Sequence, residues 1–304
     1  LSGQDNMTII DAHSHLWLRQ DTTVDGQRIY PMGRGRAMFF GEERQMLPPF
    51  MIDGTNTAEV FLANMDYAQV GGAVVVQEII DGNQDPYLAS VREKYPDRFF
   101  CCALLDLDAC VKAGGRLDCG SFRGVAIPGH RAHTSLLDPT AVAIFKEIEK
   151  RGLILSMCLA DDARQIAEFR EVIQECPRLK VAVGHFGMVT GEHWMEQIRL
   201  AHFPNVSVEA GGITWLFNSE FYPYPSAVRA IRQAADEVGI GKLMWGSDYP
   251  RTICAITYRM SYDFVLKSDL LTTDEKSAFL GGNAVRFYGF RNLPELPYIK
   301  NMSE

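Results

Sequence analysis

The 304-residue chain contains no apolar run approaching the roughly 18 uninterrupted residues of a membrane-spanning helix, so no insertion into a membrane is expected. It also lacks an excess of basic residues: 30 lysines and arginines stand against 38 aspartates and glutamates, a net charge of -8. That balance argues against a nucleic-acid binder, whose footprint would be a basic stripe. No Cys-x-x-Cys pair occurs, and the seven cysteines are an odd number, several of them inside apolar runs. Neither a disulfide framework nor a thiolate zinc site is indicated, and a reducing, cytoplasmic setting is the expectation. Low-complexity tracts, repeats of fixed period and domain linkers are absent as well. What is there is an ordinary globular composition, 47% hydrophobic and 22% charged, suited to small-molecule or protein partners and compatible with a homo-oligomer. Residues 1–6, polar and preceding Met7, read as a tag or leader remnant, which leaves 7–304 as the folded domain.

The strongest structural signal is a regular alternation of apolar, β-branched runs with amphipathic segments. An opening strand over 8–17 is followed by a long segment, 18–56, with Gly26, Pro31, Gly33, Gly35, Gly41, Pro48, Pro49 and Gly54 scattered through it. That spacing reads as an irregular, lid-like loop. Asn56, three residues before Glu59, reads as the cap of a helix that Gly71 and Gly72 end. Strands then fall near 73–77, 98–105, 121–127, 153–159, 179–184, 205–210 and 242–246, separated by helices such as the one capped by Asp138 with Pro139 behind it. Counting the first, eight strands alternate with helices, which predicts a single-domain (β/α)8 barrel with a long loop after strand one. A doubly wound open sheet is the alternative, but it would more often place a glycine-rich phosphate loop where this chain has His13-Ser14-His15.

Alternation along a strand puts His13 and His15 on one face, where two imidazoles suit a divalent metal or a polarised carbonyl. The plainer reading is a pair of hydrogen-bonded core histidines. In a barrel the site gathers at the carboxyl ends of the strands. His185 ends the sixth strand and Asp248 the eighth, so both are expected to meet the pair, although Asp248 also reads as a helix cap before Pro250. Glu78, at the end of the second strand, is either an additional ligand or half of an ion pair with an arginine. Cys158, at the end of the fifth, has no evident base partner and reads as packing. Arg19, Arg28, Arg34, Arg36 and Arg44 share the long first loop with Tyr30, Phe39 and Phe40, which suggests an anionic or polyhydroxylated substrate unless they only solubilise the loop. Arg251, three residues after Asp248, is the better placed candidate.

These motifs together, Asp-Ala-His13-Ser-His15, Gly-His185-Phe-Gly, Trp-Gly-Ser-Asp248-Tyr-Pro and Leu-Gly-Gly-Asn283-Ala-Val-Arg-Phe-Tyr, resemble the amidohydrolase superfamily, and within it the amidohydrolase-2 branch. The resemblance spans about residues 9–290 and implies that His13, His15, His185 and Asp248 bind one divalent metal, zinc first, or none, with Asp248 as general base and His185 also catalytic. Binuclear members carry a lysine on strand four and a histidine on strand five; here Gly124-Val-Ala-Ile and Ser156-Met-Cys-Leu stand there, which argues against two metals. Related lactonases often end strand four Gly-Val-Arg, and Ala126 takes that arginine's place, so His130, Arg131 or His133 just beyond would have to substitute, unless they form a solvated loop. The expected activity is hydrolysis of a small ester-like bond, a lactone of a sugar acid or of an aromatic breakdown product. Decarboxylation of a small unsaturated acid by a metal enzyme, and a non-catalytic sugar-acid-binding barrel, are the rivals.

Overall fold

The computed structural model describes residues 7–304; the expectation of a tag or leader remnant at 1–6 lies outside the described residues. Eight parallel strands form the barrel: β1 (Ile9–Ser14), β6 (Val70–Val75), β7 (Phe99–Leu104), β8 (Gly124–Pro128), β9 (Ile154–Cys158), β10 (Lys180–Val183), β11 (Val206–Glu209) and β12 (Leu243–Met244), in that spatial order. The alternation read from the sequence is the one observed, and the molecule is a single-domain (β/α)8 barrel. The strands are buried along almost their whole length because helices cover the outside and side chains fill the inside. Inside, Ile10, Ala12, Val74, Phe100, Ala126, Ala182 and Met244 form a plug that the helix Asn283–Tyr288 closes from below through Ala284 and Tyr288.

The seam between β12 and β1 has no continuous ladder and is closed by scattered backbone bonds: Ala12 N–H to Trp245 O at 2.9 Å, Asp248 N–H to His13 O at 2.8 Å and His15 N–H to Tyr249 O at 2.8 Å. The buried Asp11 carboxylate reinforces it, accepting from Ser247 Oγ at 2.5 Å, Ser247 N–H at 2.8 Å and Tyr258 OH at 2.7 Å. Burial pushes the Asp11 carboxyl up to about 6, against the pull of those donors.

Two local readings of the sequence are corrected. Segment 18–56 is not an irregular loop: it holds an antiparallel sheet of β2 (Thr22–Val24), β3 (Gln27–Gly33), β4 (Arg36–Phe39) and β5 (Glu42–Gln45). Three of its five scattered glycines are the second residues of consecutive two-residue turns, Asp25-Gly26, Arg34-Gly35 and Phe40-Gly41, in which both residues have positive φ. That is the turn whose twist matches paired antiparallel strands. Secondly, Thr57 rather than Asn56 caps the helix Ala58–Ala68; the Asn56 amide instead donates to His15 O at 2.7 Å. The helix ends at Gln69 in the left-handed conformation, and Gly71 and Gly72 belong to β6, where a side chain at Gly72 would run into Phe290 and Leu293. No helix among the described residues is long and apolar enough to cross a membrane.

Candidate active site

The four residues singled out at strand ends come together at the barrel mouth. Parity along β1 would send the histidines outward with Asp11, since Ile10 and Ala12 already face in; a register shift between Asp11 and Ser14 re-aims both into the mouth. Glycines at 211 and 246 make room, because a Cβ at either would strike His13 within 2.7 Å. His185 and Asp248 both adopt left-handed backbone, φ 54° and 63°, a conformation that costs free energy in non-glycine residues and persists only where neighbours enforce it.

His13 Nε2, His15 Nε2 and Asp248 Oδ1 form a tight triangle with edges of 3.2, 2.9 and 3.3 Å. A tetrahedral cation bound at roughly 2.0–2.1 Å sets its ligand atoms about 3.3 Å apart, so these three atoms fit a divalent metal with little movement. The surroundings agree with that use. Glu209 Oε2 takes Nδ1 of His13 at 2.5 Å, the carboxylate-to-histidine support that orients metal-binding imidazoles. Nδ1 of His15 has no hydrogen bond, and Oδ2 of Asp81, also unsatisfied, lies 4.0 Å from it. The indole of Trp215 donates to the other Asp248 oxygen at 2.9 Å.

Electrostatics set protonation states in this cluster. Burial opposes charge on Asp248, but hydrogen bonds and charge from His13 and His15 outweigh it and hold the carboxyl well below its usual range. Burial likewise opposes charge on His13, and Glu209 with Asp248 overcomes it, raising the imidazole to about 10. His185 behaves oppositely: burial, and then the neighbouring His13, lower it, so its ring is neutral. Its Nδ1 donates to Gly211 O at 2.7 Å, which leaves Nε2 as an acceptor with a free lone pair. It lies beside His13, rings 4.7 Å apart, and is not one of the three atoms of the tight triangle.

Above the cluster opens a cavity of about 490 Å³, walled by His15, His185, Asp248, Arg251, Glu78, His130 and Arg131, with Phe39, Arg44 and Met46 contributed by the small sheet. Glu78 is paired rather than isolated: Arg131 reaches it at 3.0 Å and His130 at 3.3 Å. Burial alone would raise its carboxyl; His130 and then Arg131 drive it far below the usual range. Arg251 lies over the Trp17 ring and binds Asp81, while its buried Nε–H has no partner. Arg34 and Arg36 do not line this cavity; Arg34 forms a turn and Arg36 pairs with Glu43 at 2.6 Å across the small sheet. His133, exposed, faces Asp25 at 3.3 Å. Glu209 and Trp215 escaped the sequence reading. The first carries a usable signal, a carboxylate closing the buried strand Val206–Glu209, whereas Trp215 sits on a short helix, Ile213–Leu216, with no pattern to mark it.

The sequence matches the family model for amidohydrolases, Amidohydro_2, over residues 10–290. No curated protein sequence matches it significantly. Among solved structures, a probable 2-pyrone-4,6-dicarboxylic acid hydrolase from Acinetobacter baumannii with citric acid bound is similar at 18% identity and TM-score 0.66, covering 93% of this chain and 100% of that one. An amidohydrolase from Burkholderia multivorans with bound zinc is similar at 17% identity and TM-score 0.65, with 93% and 100% covered. The 5-carboxyvanillate decarboxylase of Sphingomonas paucimobilis is similar at 16% identity and TM-score 0.61, with 94% and 100% covered.

Proposed function

The chain belongs to this amidohydrolase family, an enzyme of the amidohydrolase superfamily, and from that premise we propose that it hydrolyses a small lactone carrying acidic substituents, derived from a sugar acid or an aromatic compound. The observation that carries this reading is the Asp248 carboxylate, fixed between His15 Nε2 and the Trp215 indole at the wall of a cavity that also presents Arg44, Arg131 and Arg251. The solved structure with citric acid bound and its description as a pyrone dicarboxylate hydrolase support the same substrate class.

In this reading His13, His15 and Asp248 hold the cation, with His185 alongside, and zinc is the first candidate because a structural relative carries it. A divalent ion there supplies Lewis-acid polarisation of the lactone carbonyl. The guanidinium groups of Arg251 and Arg131, both at the cavity wall, take the substrate carboxylates. Nε2 of neutral His185 accepts a hydrogen bond from the attacking water and so orients it. Asp248, kept ionised, takes the water's proton and returns it to the ring oxygen as the C–O bond breaks. Glu209 holds the His13 ring throughout, and its carboxylate matches the positive charge that His13 carries when no metal is bound.

The test is metal analysis of protein purified without chelator, followed by assay against a panel of lactones bearing carboxylates, with acid release followed by a pH indicator. Ring opening that fails with Asp248→Asn supports the reading. Unchanged hydrolysis in that variant sinks it. The similarity to a decarboxylase favours a second reading in the same cavity, loss of carbon dioxide from an aromatic acid, and carbon dioxide release without acid production selects it. Binding without turnover on either panel selects the non-catalytic barrel. The seven cysteines are all unpaired, which supports placing the enzyme in a reducing compartment.

A further inference from the structure

We propose that the barrel mouth contains a second, thiolate-bearing cation position formed by His13, Cys158 and His185, beside the one made by His13, His15 and Asp248. It goes beyond the hydrolytic reading and does not depend on it. One ligand atom from each of the three side chains lies within 4.8 Å of the other two. A separate void of about 10 Å³, which shares His15, Glu78, His130 and His185 with the large cavity, is lined by all three side chains. A void of that size holds one water or one ion.

The donors are prepared independently of one another. His185 commits Nδ1 to Gly211 O at 2.7 Å and His13 commits Nδ1 to Glu209 at 2.5 Å, so each has Nε2 left to give, already oriented by its partner. Cys158 ends β9 with its Sγ directly against the backbone of Gly184, where a Cβ would come within 2.5 Å of the sulfur. Glycine there is what lets the thiol sit next to His185. Zinc at about 2.3 Å from sulfur and about 2.0–2.1 Å from nitrogen brings its ligands to roughly 3.3–3.6 Å apart, so the three side chains close by about an ångström on binding. Two imidazoles and a thiolate select zinc and its softer relatives over magnesium or calcium.

On binding, the Cys158 S–H bond and the Nε2–H bond of the charged His13 both break, two protons leave to solvent, and the freed sulfur and nitrogen lone pairs go to the cation together with that of neutral His185; nothing is oxidised or reduced. Since Glu209 occupies the other nitrogen of His13, both positions need the same Nε2, and a single ion takes one or the other. An ion on Cys158 leaves Asp248 to His15 and Trp215.

The measurement is titration of the metal-free, full-length protein with cobalt(II), followed by absorption. The expected result is a thiolate-to-cobalt charge-transfer band that saturates at one equivalent. The band disappears in Cys158→Ser and Cys158→Ala, with cobalt affinity reduced about tenfold or more. It persists in Cys254→Ser, which removes the exposed cysteine. It persists also in Asp248→Asn, so that failure of this position and failure of the proposed hydrolysis are read separately. Should the Cys158 variants fold poorly, cadmium NMR of the wild-type protein reports sulfur ligation directly. Cobalt bound without a charge-transfer band, cadmium bound without sulfur, or no uptake of either ion overturns the proposal.

Discussion

The barrel mouth and the small sheet beside it both concentrate charge, but they do so under opposite physical conditions. His13 and Glu209 are each 1% exposed at their contact, and every member of that cluster touches two or more others. Across the small sheet, Arg36 and Glu43 are 41% and 40% exposed, and Arg28 and Arg44 form similarly open pairs with Asp21 and Glu42. Water solvates the second set before and after pairing, so each such pair adds little, typically below 1 kcal/mol. In the mouth an unpaired charge has no water to fall back on, so each partner fixes the protonation and orientation of the next. Carboxylates are therefore locked into a coupled, buried network in one region and lie on a solvated surface in the other.

Substitutions at the two ends of this contrast should separate most widely. Asp248→Asn is expected to lower lactone turnover about 100- to 10,000-fold in steady-state assays of protein whose circular dichroism shows it folded. A loss confined to substrate affinity would place Asp248 in binding rather than proton transfer. Next in size, Glu209→Gln removes the anionic acceptor of His13 and should weaken zinc binding about 10- to 100-fold in competition with a chromophoric chelator. Unchanged affinity would mean that the tight carboxylate-imidazole contact does not serve the metal.

Glu78 lies between the two regimes, 14% exposed and shared by His130 and Arg131. Its substitution by Gln should destabilise the fold by about 1–3 kcal/mol at neutral pH, because Arg131 is left half-buried without its carboxylate. The folded-state carboxyl lies below its unfolded value of 4.5, so the ionised form contributes its full stability above that pH and loses it progressively as pH falls. Urea unfolding from pH 7 down to 3 should show the wild-type advantage shrinking towards acid; a constant difference would mean that packing, not charge, holds Glu78. The smallest effect belongs to the small sheet, where Arg36→Ala should change stability by less than about 1 kcal/mol and leave turnover unaltered. A large fall in turnover there would show that the sheet grips substrate through residues outside the observed cavity wall.

The barrel was legible because its signals are local and repeated. Apolar β-branched runs, caps such as Asp138 and Asp162, and stops such as Gly239 each report on a few neighbouring residues, and eight repetitions leave few folds that could hold them. The small sheet was harder to read. Its turn signals, Asp25-Gly26 and Phe40-Gly41 among them, were present, but polar and exposed strands lack the apolar alternation that usually announces pairing. His13, His15, His185 and Asp248 could be named in advance because strand-end position and residue type coincide. Glu209 shares with Glu78 the signal of a carboxylate at a strand end, but no neighbouring motif marks it.

Residue order alone thus carries the fold class, the alternation of elements and the four side chains that gather at the mouth, since all of these follow from short-range periodicity and from the geometry of barrel strand ends. Contacts between distant parts of the chain decided the rest. The shift within β1 that turns the histidines inward, the 196-residue reach from His13 to Glu209, the tie between Trp215 and Asp248, and the nearness of Cys158 to His185 depend on how strands pack around a closed barrel. Such contacts leave no periodic trace, because the residues that make them are neighbours only after the barrel has closed.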